Sequence, residues 1–432
     1  MSLMRINDLF HFEKGSLQSS KCTEGEFDFI TASSEWKTHN EYTHNCEALV
    51  FAAAASGSLG RTHYLNGKFI ASDLCFVITP KDPINFPIDL KFYHMIFNEF
   101  KDDIVKNTKA GTSKEAIGLK SFGNYKLPYF QIDKQVETKN QFVKMQSSKI
   151  DLNSELTHQL DLIIQLRQAF LREAMQGKLV SSETLEVSSE TGHDLLAKIK
   201  AEKAQLIAEK KLKKEKELPP ITNEEIPFEI PEHWAWCRLG EICLKITDGT
   251  HHSPTNTQSG EYKYVTAKNI KDEGIDLSNI TYVNEKVHKE IFSRCNPEKG
   301  DILYIKDGAT TGIVTINNLD EEYSMLSSVA LLKLSNSLFN KYLMYSMRSP
   351  FYYQATRNEM YGVAITRVTL EKIKNAIIPL PPLNEQEQIV AKLEELMTFC
   401  DGLEKSIKES QRYNELLLQQ VLREALQGKE EV

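Results

Sequence analysis

The sequence has no apolar run long enough to cross a membrane, no paired cysteine motif and no excess of basic charge. Its most apolar stretch, residues 48–55, is far shorter than the roughly 20 residues that a helix needs to span a bilayer. The seven cysteines include no CxxC pair, which disfavours a disulfide framework or a zinc site. The first residues also lack the apolar core of a signal peptide. We therefore expect a cytoplasmic protein with reduced thiols.

The reactive motifs of common enzyme classes are also missing. There is no GxxxxGK[ST] phosphate loop, and the short glycine pairs indicate turns between strands. His251 and His252 are adjacent, and that spacing suits joint metal binding poorly. No serine or cysteine has a base at a recognisable spacing. We expect no catalytic residue, no metal and no cofactor in this chain.

The charge balance is acidic. The chain has 52 Lys and Arg against 60 Asp and Glu, which gives a net charge of −8. This counts against a free-standing nucleic-acid-binding domain, although local fields decide such binding more than the total charge does. If the protein binds DNA, we expect partner subunits to supply part of the attraction. The length of 432 residues predicts two to three domains.

An internal repeat is the most informative feature that is present. LREAMQGK at residues 171–178 returns as LREALQGK at residues 422–429, and GEFDFITA at 25–32 matches GEYKYVTA at 260–267. The chain is therefore two copies of one unit, each a globular segment followed by a long helix. Such two-fold pseudo-symmetry suits a two-fold partner, of which duplex DNA read at two half-sites is the best-known example.

Each globular segment shows short apolar runs that predict strands. These are FDFITA, CEALVFAAAA, KFIASDLCFVITP and KLPYFQI in copy one, and KYVTA, GDILYIK, GIVTINN and SSVALLKL in copy two. Helical periodicity covers residues 89–107 and 338–357. Between the copies, residues 195–216 form a lysine-rich predicted helix. Its lysines either contact DNA or a partner subunit, or simply make a solvated face.

Apolar residues in both long helices follow the alternating three-and-four spacing of a coiled coil. The helices cover residues 134–175 and the stretch after the double proline at 381–382. Two seams in one chain most simply pack on each other, antiparallel, with the globular segments at opposite ends. Polar Asn414 predicts a fixed register at some cost in stability. The seams comprise Leu152, Leu156, Ile163, Leu166 and Phe170, and Leu403, Ile407, Asn414, Leu417 and Val421.

Several segments carry a family resemblance. They are IPFEIPEHWAWCRLGEIC (226–243), YVTAKNI (264–270), GDILYIKDGATTG (300–312) and IPLPPLNEQEQIVAKLEEL (378–396), with TGHDLLAKIKAEKAQL (191–206) between the copies. Together they resemble the DNA-specificity subunit of type I restriction–modification systems. The resemblance covers nearly the whole chain in the expected order and is clearest in copy two and the helices.

The resemblance implies an α+β fold with two mixed α/β target-recognition domains, separated by an antiparallel pair of long coiled-coil helices. The implied domains are residues 1–132, a central conserved helical region at 133–220, residues 221–382, and a C-terminal conserved helix at 383–432. It also implies a non-catalytic chain that reads a bipartite site in double-stranded DNA. Two methyltransferase subunits would supply the S-adenosylmethionine chemistry, and motor-nuclease subunits would complete the complex.

Side chains in the loops that follow the repeated strands are the candidates for contact with DNA. Arg and Lys suit guanine edges or phosphates, Asn suits adenine, and Ser and Thr suit either. The candidates in copy one are Ser34, Trp36, Lys37, Ser58, Arg61, His63, Thr112, Ser113 and Lys114. Those in copy two are Lys268, Asn269, Lys306, Thr310, Thr311, Tyr361, Thr366 and Arg367.

Two alternatives remain open. The chain acts with a methyltransferase alone or with a fused restriction–modification enzyme, and the sequence does not discriminate between these systems. The other alternative is a non-DNA-binding coiled-coil adaptor whose two globular ends bind proteins. Its signature is an absence of DNA binding even when the partners are present.

Overall fold

The structure is a computed structural model that describes residues 2–54, 57–110, 115–180, 190–357 and 367–427, without the side chains of 357, 418, 419 and 421–427. The chain divides into two units. Unit 1 comprises residues 1–158 and 407–432, and unit 2 comprises residues 159–406. Each unit contains one globular segment and a part of both long helices.

Unit 1 is built on a six-stranded sheet with the strand order β2-β7-β5-β6-β3-β4. Strands β3 and β6 are parallel, whereas the other neighbours in this sheet are antiparallel. The elements are β1 (Ser2–Arg5), α1 (Ile6–Leu9), β2 (Phe10–Lys14), β3 (Phe27–Ile30), β4 (Lys37–His39), β5 (His44–Ala52), β6 (Thr62–Ala71), β7 (Cys75–Pro80), α2 (Leu90–Glu99), α3 (Lys101–Thr108), β8 (Lys109–Ala110), β9 (Ala116–Ile117), α4 (Leu119–Asn124), β10 (Lys126–Tyr129) and α5 (Ile132–Met175).

The core of unit 1 follows from the alternation of side chains along strand β5. Leu49 and Phe51 belong to an aromatic cluster that includes residues of α2, α3 and α4. Ala48 and Val50 belong to a second cluster of smaller side chains. Because successive residues of a strand point to opposite faces, this run of consecutive buried residues places apolar surface on both sides of the sheet. The Phe51 and Phe122 ring centroids are 4.6 Å apart.

Unit 2 contains a four-stranded sheet, β12-β20-β17-β18, and a three-stranded sheet, β16-β13-β19. Along β17, Ile302 and Tyr304 pack in one core cluster and Leu303 and Ile305 in another. The elements are α6 (Gly192–Ala208), β11 (Ala235–Arg238), α7 (Leu239–Ile242), β12 (Cys243–Asp248), β13 (Tyr262–Val265), β14 (Ile270–Lys271), β15 (Gly274–Ile275), β16 (Thr281–Val283), α8 (Glu285–Arg294), β17 (Ile302–Ile305), β18 (Val314–Ile316), β19 (Tyr323–Met325), β20 (Val329–Leu334), α9 (Asn340–Arg348), α10 (Pro350–Arg357), α11 (Leu370–Asn375), β21 (Ile377–Leu380) and α12 (Leu383–Gln427).

The sequence repeat recurs in the strand pairing inside each unit. Strand β3 lies between antiparallel β4 and parallel β6, and β13 lies between antiparallel β16 and parallel β19. The antiparallel pair β1–β10 of unit 1 corresponds to β11–β21 of unit 2. In unit 1 the long strand β6 pairs with both β5 and β3, whereas β18 and β19 divide these roles in unit 2. The six-stranded sheet of unit 1 therefore corresponds to two separate sheets in unit 2.

Two predicted helices are each divided in the structure. The helix predicted at 89–107 is α2 and α3, which meet at Phe100. The helix predicted at 338–357 is α9 and α10, and α10 begins at Pro350. Proline at the first position of a helix lacks only an N–H that would have no helical partner, so it starts a helix readily but interrupts one that precedes it.

The lysine-rich helix between the copies is shorter than predicted. It begins at a capping box formed by Thr191 and Asp194 and ends at Ala208, so the lysines at 210–216 lie outside it. Inside the helix, the Lys203 ammonium donates to the carbonyl oxygens of Gly240 at 2.6 Å and of Cys243 at 2.7 Å. Burial lowers the pKa of Lys203. This lysine therefore closes the end of α7, and it belongs neither to a solvated face nor to a partner contact.

Candidate nucleic-acid interface

In unit 1 the structure brings together two residues that lie far apart in the sequence, Trp36 and His63. The rings are T-shaped with centroids 5.7 Å apart, and Trp36 Nε1 donates a long hydrogen bond of 3.4 Å to His63 Nδ1. Because an indole nitrogen only donates, Nδ1 is the acceptor and Nε2 carries the proton of the neutral ring. Burial lowers the pKa of His63, although the Ser33 backbone opposes the shift. The imidazole is therefore neutral at pH 7.

These two side chains line a groove of about 650 Å³ within unit 1. Trp36 is 42% exposed. The Lys91 ammonium lies 5.3 Å from the centroid of the Tyr64 ring, so a cation and aromatic rings share the groove. Aromatic faces beside cations are the combination that nucleic-acid-binding surfaces use for bases and phosphates. The groove is lined by Trp36, His63, Tyr64, Lys91, His94, Met95, Lys139, Phe142, Val143 and Gln146.

The remaining candidates of copy one are more dispersed. Ser34 and Lys37 are exposed on the same segment as Trp36. Arg61 is half-buried and its guanidinium donates to the Ala32 carbonyl at 3.3 Å, which ties the two loops together. Ser58 is half-buried in a turn. Thr112, Ser113 and Lys114 lie outside the described residues.

In unit 2, Lys306, a predicted DNA contact, lies in the interior. Its side chain is 2% exposed, and its ammonium lies 2.9 Å from Asp307 Oδ2 and 3.4 Å from Asp248 Oδ2. The ammonium is buried and paired with two carboxylates, so reaching DNA would mean leaving both of these ion pairs. Lys306 was predicted to contact DNA, but the structure places it in the interior as the partner of two carboxylates.

Two further candidates of copy two are also engaged inside the fold. Asn269 is buried, accepts from the backbone N–H and hydroxyl of Thr266, and donates to the Asp276 carbonyl at 3.1 Å. Thr311 is buried and donates to the Gly308 carbonyl at 2.7 Å. Both side chains shape loops, so the structure does not support direct base contact by either of them.

The carboxylates that hold Lys306 also orient exposed cations. Arg294 lies 2.9 Å from Asp248 Oδ1, and Arg367 lies 3.2 Å from Asp307 Oδ1, with side chains 50% and 62% exposed. Neither Arg294 nor Asp248 was predicted from the sequence. The only local signal was an acidic residue at the end of strand β12, because Arg294 lies 46 residues further along the chain. This arrangement presents two guanidiniums for phosphates or guanine edges.

The other candidates of copy two are either exposed or outside the described residues. Lys268 and Thr310 are exposed. Tyr361 and Thr366 lie outside the described residues, and Arg367 is the first described residue after them.

The long helices contact each other inside each unit. In unit 1, Asn414 is buried, and its amide donates to Asn153 Oδ1 at 2.9 Å and to the Lys149 carbonyl at 3.2 Å. In unit 2, the Arg167 guanidinium contacts Asp401 at 2.8 Å and Glu404 at 2.9 Å. Within unit 1, Gln411 lies opposite Thr157, so the two helices run antiparallel there.

Part of the predicted seam faces inward. Leu156, Ile163 and Asn414 are buried, and Leu166, Phe170 and Ile407 are half-buried. Leu152, Leu403 and Leu417 are 47%, 37% and 54% exposed, so the seam prediction is wrong at these positions. A helix turns about 100° per residue, which lets the neighbours Asn153 and Glu404 take the facing positions instead. The side chain of Val421 lies outside the described residues.

The first long helix ends where the sequence predicted, at Gly177. This residue has φ +68, and Lys178 N–H donates to the Glu173 carbonyl at 2.9 Å, as in a Schellman ending. A Cβ at Gly177 would lie 2.6 Å from the Pro231 ring.

Among the residues that the structure describes, no three His, Cys, Asp or Glu side chains are grouped to hold a metal ion. No helix in the same part of the chain is long and apolar enough to cross a bilayer.

Comparison with known proteins identifies the family. The model of the type I restriction modification DNA specificity domain matches twice, at residues 1–162 and 231–410. The chain therefore belongs to this family, as the motifs of the sequence indicated.

Individual relatives agree with this assignment. The EcoAI specificity subunit of Escherichia coli is 30% identical over 248 residues, which cover 56% of this chain and 41% of that protein. The EcoDI specificity subunit of the same organism is 21% identical over 444 residues, which cover 98% and 87%. The chain spans about two fifths of the length of the first curated relatives that it matches.

Solved structures share the fold. The HsdS subunit from Thermoanaerobacter tengcongensis superposes with a TM-score of 0.57 at 16% identity, covering 99% of this chain and 96% of that one. A chain from a structural study of complex assembly and conformational transition in a type I R-M system gives a TM-score of 0.57 at 18% identity, with 98% and 97% covered.

Proposed function

We propose that this chain is the sequence-reading subunit of a type I restriction–modification complex and that it binds a bipartite DNA site. The duplicated match to the DNA specificity domain carries this proposal, because one globular segment is available for each half-site. The Trp36 groove of unit 1 and the exposed arginines of unit 2 supply aromatic and cationic groups suited to DNA.

The long helices set the distance between the two half-sites. Both helices have parts in both units, and they pair inside each one. An antiparallel pair joining two similar target-recognition domains gives the chain a pseudo-two-fold organisation, which matches two half-sites on one duplex. The proposed domains are residues 1–132, 133–220, 221–382 and 383–432.

The chemistry resides in partner subunits. We place two methyltransferase subunits with S-adenosylmethionine, and motor-nuclease subunits, on this non-catalytic chain in the cytoplasm. The net charge of −8 supports dependence on partners for part of the attraction to DNA. Exposed apolar side chains on the long helices, Ile164 on α5 and Phe399 on α12, support docking of another protein there.

Base-resolution mapping of DNA methylation tests the proposal. Cells that express this chain with its cognate methyltransferase subunit are compared with cells that express the methyltransferase alone. We expect a methylated bipartite motif that disappears without the chain. Identical methylation in both strains, with an active methyltransferase, overturns the proposal and favours an adaptor that binds proteins at its globular ends.

A further inference from the structure

A polar cavity of about 700 Å³ lies beside strand β13 in unit 2. Its volume is in the range of small-ligand sites, and most of the side chains around it carry hydrogen-bond donors. Lys268 and Lys271 are exposed at its edge. Its lining includes Ser253, Asn256, Tyr264, Lys268, Lys271 and Asn279.

The cavity has a floor fixed by buried hydrogen bonds. Asn269 accepts from the Thr266 N–H at 3.0 Å and from its hydroxyl at 3.1 Å, and donates to the Asp276 carbonyl at 3.1 Å. All three residues line the cavity. Because these bonds join the segment after β13 to the segment before β16, the surrounding donors are held in place before any ligand arrives.

Tyr264 is the unusual member of the lining. Tyr264 is 1% exposed, and its hydroxyl has no hydrogen-bond partner among the described residues. Burial raises the pKa of Tyr264 to about 12, and the nearby Ser253 side chain opposes this shift. A buried hydroxyl without a good partner is unfavourable, since it has lost its bonds to water.

The internal repeat shows which residue of copy one occupies the position of Tyr264. In the alignment of GEFDFITA with GEYKYVTA, Phe29 corresponds to Tyr264 and Ser33 to Lys268. Phe29 is fully buried on β3, which has the same pair of neighbouring strands as β13. The same strand position therefore accepts a ring without a hydroxyl. The hydroxyl and the ammonium at this cavity are particular to copy two.

We propose that this cavity contacts a nucleobase of the half-site bound by unit 2, with the Tyr264 hydroxyl hydrogen-bonding to the base edge and Lys268 and Lys271 contacting adjacent phosphates. This inference rests on the proposed function. The hydroxyl is shielded from solvent in the free chain, so side chains at the cavity mouth, including Ser253, move on binding. Such side-chain rearrangement is common at interfaces. Because copy one lacks this hydroxyl, the preference for that base is expected in only one of the two half-sites.

The test uses the complete complex of this chain with its methyltransferase subunits. Methylation rates are measured on a DNA library in which each position of the bipartite site is varied in turn. Tyr264→Phe installs the residue of copy one, and we expect about a tenfold loss of discrimination at one position of a single half-site. Tyr323→Phe is the matched control. Its hydroxyl, on the adjacent strand β19, is also buried and has no hydrogen-bond partner among the described residues, but it does not line the cavity.

A second variant changes the phosphate contact. Lys268→Ala removes an exposed side chain, so folding is not at risk, and we expect weaker binding to all sites with unchanged base preference. An unchanged profile in Tyr264→Phe, or equal changes in Tyr264→Phe and Tyr323→Phe, overturns the cavity proposal while the wild-type complex remains specific. A wild-type complex without sequence preference overturns the proposed function itself.

Discussion

Lengthening both long helices tests whether they set the spacing of the DNA site. The structure shows where residues can be added so that the polar contacts described above between the two helices are kept on either side of the insertion. In α5 the insertion falls between Thr157 and Arg167, and in α12 between Glu404 and Gln411. The Asn414–Asn153 bond then stays within unit 1, and the Arg167–Glu404 ion pair stays within unit 2.

Helix geometry gives the size of the effect. Four residues add about 6 Å to each helix and turn it about 40° beyond one full turn. One base pair of DNA adds about 3.4 Å and about 35° of twist. The added length and rotation together correspond to one or two base pairs. We therefore expect the preferred spacer to grow by one or two base pairs, with the bases of both half-sites unchanged.

Methylation mapping in cells that express the lengthened chain with its methyltransferase measures the spacer directly. Insertion into α5 alone is the control, because it shifts one helix against the other, breaks the antiparallel contacts and should abolish specific methylation. An unchanged spacer in the doubly lengthened protein, or altered half-site bases, would show that the long helices do not set the spacing.

Three further predictions concern single sites. Trp36→Ala should weaken binding of the complex to its cognate DNA about tenfold, as truncating an aromatic anchor does, whereas Trp36→Phe should retain part of the affinity in the same binding titration. Gly192→Ala should destabilise unit 2 by about 1–3 kcal/mol in urea denaturation, because the new Cβ would lie 2.0 Å from the Leu380 carbonyl oxygen; an unchanged midpoint would contradict this packing. Burial lowers the pKa of His63 and His94 in the folded chain, so the unfolded chain binds more protons just below its own pKa of about 6.5. In thermal melts, the contribution of these histidines to stability should be fully present above pH 6.5. The melting temperature should fall as the pH drops below 6.5, and it should fall less steeply with pH after His94→Gln.

Local sequence signals predicted the features that depend on neighbouring residues. Gly177 ends its helix in the left-handed region, where glycine lacks the steric penalty of a Cβ. The short apolar runs that form β5 and β17 predicted strands, and the structure shows that alternate residues of each run pack into separate core clusters. The boundaries of longer helices were less certain, and Pro350 marked the break between α9 and α10 that periodicity alone missed.

The candidate site was harder to predict, because its geometry joins distant residues. Lys306 follows a strand, and its charge suggested a DNA contact, yet two carboxylates at the ends of different strands enclose it. Those carboxylates direct Arg294 and Arg367 outward instead. Neither the burial of a lysine nor the pairing of its partners is encoded in a local pattern.

The duplication, the family and the two long helices could be recognised from the sequence, because repeats, motifs and periodicity are local or linear patterns along the chain. The tertiary structure decided which charges are buried, that Trp36 meets His63, and that Asn153 faces Asn414 in the helix pair. These features depend on strand order and helix rotation, which bring residues 27 and 261 positions apart into contact. Long-range packing sets such contacts, and the identity of either residue alone does not predict them.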